Sequence, residues 1–279
     1  MFHLLIGTLL LRPYVFLFLF VYLILSGLAW GWQRSLLYLI TGYVLAWLAE
    51  YSSIHTGFPF GLYAYISQPT IDKELWVKGV PFMDSLSFVF LTFAGLQTAR
   101  LVVEPLALGP KGSFDIRWAD ARRIPNWKVW ILAGLLTMGL DVIIDPLALR
   151  GDRWFLGQIY SYPHGGVYFG VPLTNFAGWA LLAWTILGVF LLAERLVLHQ
   201  ILPTWRSHIA DAILGVGLFV GVLAFNLILT FSIGEFLLGL VGLLLAFLMA
   251  LPSLIRLRSL HLRASQLLSY RELSPTRKQ

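Results

Sequence analysis

Residues 141–179, DVIIDPLALRGDRWFLGQIYSYPHGGVYFGVPLTNFAGW, decide how the chain is read. They open with two aspartates, Asp141 and Asp145, at the end of an apolar run. A spacing of four puts both carboxylates on one face of a helix. Pro146 follows at once and is expected to disturb that helix, since it lacks an N–H and biases its predecessor away from α geometry. A loop dense in glycine and aromatics then carries Asp152, Arg153, Trp154, Tyr160, Tyr162 and His164. Pro172 stands where a second helix can begin, with Asn175 in its first turn. Acids, a histidine and an amide between membrane-length apolar segments are costly there, so they read as functional groups.

The composition of the 279 residues supports that setting: 58% are hydrophobic, 12% are charged, and the mean hydropathy is +0.79. These values predict an all-α, polytopic membrane helix bundle. Seven transmembrane segments can be drawn, near 13–31, 35–52, 80–103, 127–148, 172–193, 208–231 and 235–255. Residues 2–11 are apolar as well and either extend the first helix or lie at the interface. Residues 1–255 then form a single transmembrane domain, and 256–279 a basic cytoplasmic tail. The first apolar run lacks a basic leader and is too long for the core of a cleavable signal.

Basic residues set the orientation. Arg100, Lys111, Arg117, Arg122, Arg123 and Lys128 surround one loop, and Arg256, Arg258, Arg263, Arg271, Arg277 and Lys278 follow the last segment. An N-out, C-in arrangement places 15 of the 20 Lys and Arg on the inner side, which predicts a multi-pass protein of the cell (inner) membrane. The net charge of +6 is therefore a topological signal, and no nucleic-acid partner is expected.

This orientation gathers polar groups at one leaflet. Glu50 and His55 fall at the outer end of the second segment, Asp84 at the start of the third, and Asp141 and Asp145 at the end of the fourth. His164 lies in the following loop, Asn175 opens the fifth segment, and Asn226 and Glu235 flank the last outer turn. Polar helix ends are ordinary in membrane proteins, and the Asp145–Pro146 pair also suits a simple helix stop. Other groups read as plain surface. Asp72, Lys73 and Glu74 form a solvated loop, Glu194, Arg195 and Glu235 are interfacial, and Arg153 pairs with Asp152 or lipid phosphate. The loop Trp and Tyr residues form an aromatic belt.

A short internal repeat is present. Residues 79–88, GVPFMDSLSF, and 170–179, GVPLTNFAGW, share Gly-Val-Pro and a polar residue three beyond the proline. Glu50 precedes the first glycine by 29 positions, and Asp141 precedes the second by 29. Repeats of this sort place a site at their interface, although Gly and Pro also punctuate unrelated helix starts.

Absences narrow the chemistry. With no cysteine, disulfides and thiol catalysis are excluded. No GxGxxG, GxxxxGK[ST] or GxSxG motif occurs, and the six histidines form no HxxxH or HxxH box. What remains is carboxylates, one or two histidines and many aromatics (11 Trp, 11 Tyr, 20 Phe), an inventory for acid–base chemistry on an apolar substrate. Neither a metal nor a cofactor is expected.

The segments AEYSSIHTGFPFGLYAY (49–65), GVPFMDSLSF (79–88), LDVIIDPLA (140–148) and GVYFGVPLTNFAGW (166–179) together resemble the membrane family of carotenoid-biosynthesis proteins. That family includes carotenoid 1′,2′-hydratases and bisanhydrobacterioruberin hydratase, and the resemblance covers roughly residues 40–190. It implies cofactor-free addition of water across the terminal C1′=C2′ double bond of a ψ-end carotenoid, giving a tertiary alcohol. The partners implied are a lycopene- or γ-carotene-like carotenoid and membrane lipid.

Residue roles follow from the chemistry, since protonating a trisubstituted alkene produces a tertiary carbocation that water must capture. The candidate catalytic residues are Asp141, Asp145, Glu50, Asp84 and His164. Candidate substrate contacts are His55, Tyr63, Trp154, Tyr168, Asn175 and Trp179. By helix polarity, Asp145 with Asp141 or Glu50 is read as the proton donor, and Asp84, near a helix start, as the group that handles water. Three rivals share parts of this pattern. A prenyltransferase needs two Asp-rich motifs with basic neighbours, and only DVIID is present. A carotenoid end-group cyclase begins with the same protonation but excludes water, and a proton-coupled carrier also uses acids within helices.

Overall fold

The computed structural model describes residues 2–68, 70–108, 116–119, 124–202 and 209–273. Lys111, Arg122, Arg123, Arg206, Arg277 and Lys278, counted above as inner-side charge, lie outside the described residues. The chain begins with α1 (Phe2–Leu11) and α2 (Pro13–Trp30), which are separate helices divided at Arg12. Proline opens α2, where its missing N–H costs nothing. Next comes α3 (Trp32–Thr56), closed by Gly57 at φ 81° in the left-handed region that glycine tolerates. Then follow α4 (Phe82–Val103) and α5 (Trp127–Ala148), the latter capped by Asn126, whose side chain accepts from Lys128 N at 2.9 Å. The last helices are α6 (Leu173–Ala193), running through a π-helical turn (Glu194–Leu198) into α7 (His199–Ile201), then α8 (Ile209–Ser232) and α9 (Phe236–Leu273).

The protein is an all-α polytopic bundle. Among the described residues, six helices are long and apolar enough to cross a membrane: α2, α4, α5, the α6–α7 continuation, and most of α8 and α9. The expected second span falls in α3, a 25-residue helix of ample length, but the charges of Arg34 and Glu50 lower its hydropathy. At the centre stands α4, which packs against α2, α3, α5, α6, α8 and α9. In its most apolar window 83% of residues are buried. A helix apolar on every side belongs in that position.

Local boundaries differ from the sequence reading in three places. The α5 helix passes through Pro146 and ends at Ala148, because proline costs one backbone bond and the packing around it supplies the rest. The α3 helix continues to Thr56, so Glu50 sits well inside its C-terminal end. The α9 helix runs on through the residues read as a tail, as far as Leu273.

The two units of the internal repeat adopt the same backbone. Lys78 and Gly79 have φ of 53° and 84°, and Phe169 and Gly170 have 50° and 94°. In the first unit Val77 pairs with Val80, and in the second Tyr168 bridges Val171. Pro81 and Pro172 then hold the same extended N-cap geometry, with φ of −63° and −75°. The loops of the two units also meet: β1 (Ala64–Tyr65) pairs antiparallel with β2 (Tyr160–Ser161), setting Tyr65 against Tyr160. Each unit is thus a helix, an aromatic loop and a tight hairpin that launches a second helix.

Candidate active site

Because α3 and α5 arrive at the end of the bundle from which α4 and α6 depart, the repeat brings four helix segments to one place. Glu50 comes from α3, Asp141 and Asp145 from α5, Asp84 from the first turn of α4, and Asn175 from the first turns of α6. All five line one cavity of about 130 Å³. Tyr63, Tyr65, Tyr160 and Tyr162 from the paired loops line it as well, with Trp154 and Trp179.

Two hydrogen-bonded clusters form its polar end. In the first, Asn175 Nδ2 donates to Asp141 Oδ2 at 2.7 Å and to Asp145 Oδ2 at 3.1 Å. The Tyr162 hydroxyl donates to the same Asp145 oxygen at 2.9 Å, and the Tyr160 hydroxyl donates to its Oδ1. Both Asp145 oxygens are therefore engaged, by three donors. In the second cluster Tyr65 donates to Asp84 Oδ2 at 2.7 Å, and Ser85 donates to Glu50 Oε2. Tyr63 joins the two: its ring lies edge-on to Tyr65, Tyr160 and Tyr162, with centroids 5.2, 6.0 and 6.0 Å away.

Burial pushes the phenols of Tyr63, Tyr65 and Tyr160 well above the usual tyrosine range, and neighbouring carboxylates add to it. They stay protonated: Tyr65 and Tyr160 donate to the acids they face, and Tyr63 donates to the Tyr65 hydroxyl at 3.4 Å. The rest of the wall is mostly apolar, with Ser87 and Asn226 as further polar side chains. Phe88 stacks on Trp179 with centroids 3.9 Å apart, and Phe60 lies parallel to Phe88 at 5.8 Å. Phe18, Phe90, Leu91, Val222 and Phe225 complete it from α2, α4 and α8. Aromatic faces beside carboxylates suit a transient cation on a hydrocarbon.

Of the residues singled out from sequence, Glu50, Asp84, Asp141, Asp145, Tyr63, Trp154, Asn175 and Trp179 meet at this cavity. Three others do not. His55 is exposed, with Nδ1 2.7 Å from the Tyr51 carbonyl oxygen and its ring against Tyr51. His164 is exposed on its loop. Tyr168 packs beside Phe169 and Phe176 away from the cavity. Sequence reasoning assigned Tyr160 and Tyr162 to an interfacial belt and passed over Tyr65 and Ser85. The available signal was the Tyr-x-Tyr triplet in each loop, 63–65 and 160–162.

Charges read as surface are also tied in. Glu74 is buried against Arg12, whose Nε lies 3.1 Å from its carboxylate and whose guanidinium also donates to the Leu156 carbonyl. Glu194 is buried against Arg34 at 2.8 Å. Arg153 pairs with Glu235, not with Asp152, and Arg150 Nε meets the same carboxylate at 3.1 Å. The Arg12 and Arg150 contacts pin the loops that carry the tyrosines. Among the described residues, no group of three or more His, Asp or Glu is arranged around a metal position.

A family model described as carotenoid biosynthesis protein matches residues 3–249 of this chain. No curated protein and no solved structure matches it.

Proposed function

The chain belongs to the carotenoid biosynthesis protein family, and from that premise we propose that it adds water to the terminal C1′=C2′ bond of a ψ-end carotenoid. One observation carries the reading: four carboxylates and an amide converge at one end of a cavity whose other walls are mostly aromatic and aliphatic. A hydrocarbon end enters the apolar part, and its double bond lies beside groups able to give and take protons. A carboxylic acid transfers its proton to the less substituted alkene carbon, leaving a tertiary cation flanked by the Phe88–Trp179 stack. Water adds through oxygen to the cation, and its surplus proton passes to a second carboxylate. The sum is alkene plus water giving tertiary alcohol, with no redox change.

Hydrogen bonding divides the roles. Three donors occupy both oxygens of Asp145, so this carboxyl serves as an acceptor that fixes the cluster. Asn175 takes only Oδ2 of Asp141 and leaves Oδ1 to carry a proton to substrate. The donor role moves from Asp145, where helix polarity placed it, to Asp141, with Glu50 in support. Asp84 keeps the water-handling role: it stands in the first turn of α4 and is held through one oxygen by Tyr65.

Expression in a lycopene-producing bacterium tests the reading. The expected product is a pigment heavier by one or two waters. An isomer of unchanged mass would identify an end-group cyclase, and unchanged pigment would remove both enzymes and favour a carrier.

A further inference from the structure

The cavity does not end at its acids. It has an apolar arm that descends along α4 from Asp84 to Leu91, about 10 Å at 1.5 Å per residue. Phe18 of α2 and Val222 and Phe225 of α8 wall that arm, beside Asn226, whose Nδ2 donates to the Val222 carbonyl at 2.9 Å. Straight ahead it is blocked, because Tyr22, Phe93 and Phe219 are fully buried there, and the Tyr22 and Phe93 rings meet edge-on at 5.1 Å. A long chain with its tip at the acids must therefore leave sideways.

The seam between α2 and α8 provides the way. Aromatic rings close it beside the cavity: Phe225 stacks on Tyr14 at 5.2 Å and meets Phe18 edge-on at 5.7 Å. All three rings line the cavity and are half-buried, so they form a wall one side chain thick. One and two turns from Phe225 on α8 stand Gly221 and Gly217. A Cβ on Gly221 would meet only Phe18 Cε1, at 3.9 Å, and one on Gly217 would meet nothing within 4 Å. The outer flanks of the seam, Leu17 and Val220, are exposed apolar residues of membrane-spanning helices.

We propose that the α2–α8 seam is a lateral portal and polyene subsite, in which an isoprenoid chain passes between Phe18 and Phe225 and lies along Gly217 and Gly221. The occupant rests on the carotenoid reading above. Its end group reaches the carboxylates while the remaining chain stays against α8 and in lipid. Selection for a long, acyclic conjugated chain then arises at this seam and not at the acids, since a bulky ring cannot follow the same path.

Carotenoid binding read by induced circular dichroism in the visible band tests the proposal without requiring turnover. Lycopene is added to protein in lipid nanodiscs, and folding is checked by thermal melting. Wild-type protein and Asp141→Asn should both give the signal. Gly221→Trp should reduce it at least tenfold, and the milder Gly221→Leu should reduce it partly. Leu192→Trp, at an exposed apolar position of α6 away from the seam, should leave it unchanged. Wild-type signal in a folded Gly221→Leu and Gly221→Trp pair would overturn the portal alone. Absence of signal in the wild type would overturn the carotenoid occupant, and with it the reading on which the portal rests.

Discussion

Asn175 reaches across from α6 and holds Asp141 on α5 by a hydrogen bond of 2.7 Å. The same amide nitrogen touches Asp145 at 3.1 Å, so one neutral group spans two carboxylates a helical turn apart. An amide is the side chain that can donate to both without adding charge of its own. The corresponding residue of the other repeat is Asp84, which faces a tyrosine donor instead. The two halves share a backbone and differ at this position, an acid in one and a neutral amide in the other.

Replacing that amide should therefore be severe. Asn175→Asp places a third carboxylate within hydrogen-bond range of two others, and Asn175→Leu leaves both without their shared donor. Loss of a single positioned donor commonly costs about 10²–10³-fold in rate. Both variants should fall by that amount at matched protein levels in pigment conversion measured by liquid chromatography. Conversion within threefold of wild type for Asn175→Leu would mean that the Asp141–Asp145 pair is not the reacting group.

The acid assignment predicts different products from different carboxamides. Asp141→Asn should leave substrate untouched, because the proton donor is gone. Asp84→Asn should still protonate substrate and accumulate double-bond isomers, because capture by water fails. Asp145→Asn should lower the rate through its lost tyrosine and amide bonds, without changing the product. Positioned acids and bases supply about 10²–10⁴-fold each. If Asp145→Asn blocks all change while Asp141→Asn stays active, the earlier assignment by helix polarity is correct.

How far the sequence foretold this arrangement depends on the range of each signal. Membrane-length helices and their polar ends are local properties, and segments such as 127–148 and 80–103 are legible from hydropathy and from Asn126 or Pro81 at their starts. The cluster of Asp84, Asp141 and Asn175 was legible because the two Gly-Val-Pro units mark the same helix start twice. Pairings between distant residues carry no such local mark. Glu74 with Arg12, and Glu194 with Arg34, are 62 and 160 positions apart, so each charge alone looked like surface. The tyrosines were missed for the same reason: an aromatic loop reads as an interfacial belt until β1 and β2 are seen to pair over the acids. His164, the most chemically suggestive loop residue, is simply exposed.

The Arg34–Glu194 pair gives a stability prediction independent of catalysis. Both side chains are buried, and two parallel bonds of 2.8 and 2.9 Å join them. Removing one partner of a buried pair strands the other charge, at a cost of about 3–5 kcal/mol. Glu194→Gln should lower the melting temperature strongly in detergent. The double variant Arg34→Met with Glu194→Leu should recover most of that loss, since no charge is left unpaired. A double variant as unstable as the single one would show that the arginine's bonds to the Trp30 and Leu198 carbonyls matter more than the ion pair.

Orientation is the last prediction, and it rests on charge. The loop holding Gln158 belongs to the end of the bundle where the carboxylates gather, while Ser259 lies near the other end of α9 beside Arg256 and Arg258. By the seven segments read from sequence, 15 of the 20 basic residues belong to the Ser259 side, which the positive-inside rule assigns to the cytoplasm. The chain has no native cysteine, so single cysteines report cleanly. Both chosen positions are exposed and carry no catalytic role. In intact cells Gln158→Cys should react with a membrane-impermeant maleimide, and Ser259→Cys should react only after the cells are opened. The reverse pattern would turn the protein over and place its carboxylate cavity at the cytoplasmic leaflet. Water and protons would then reach the alkene from the other side, with the site itself unchanged.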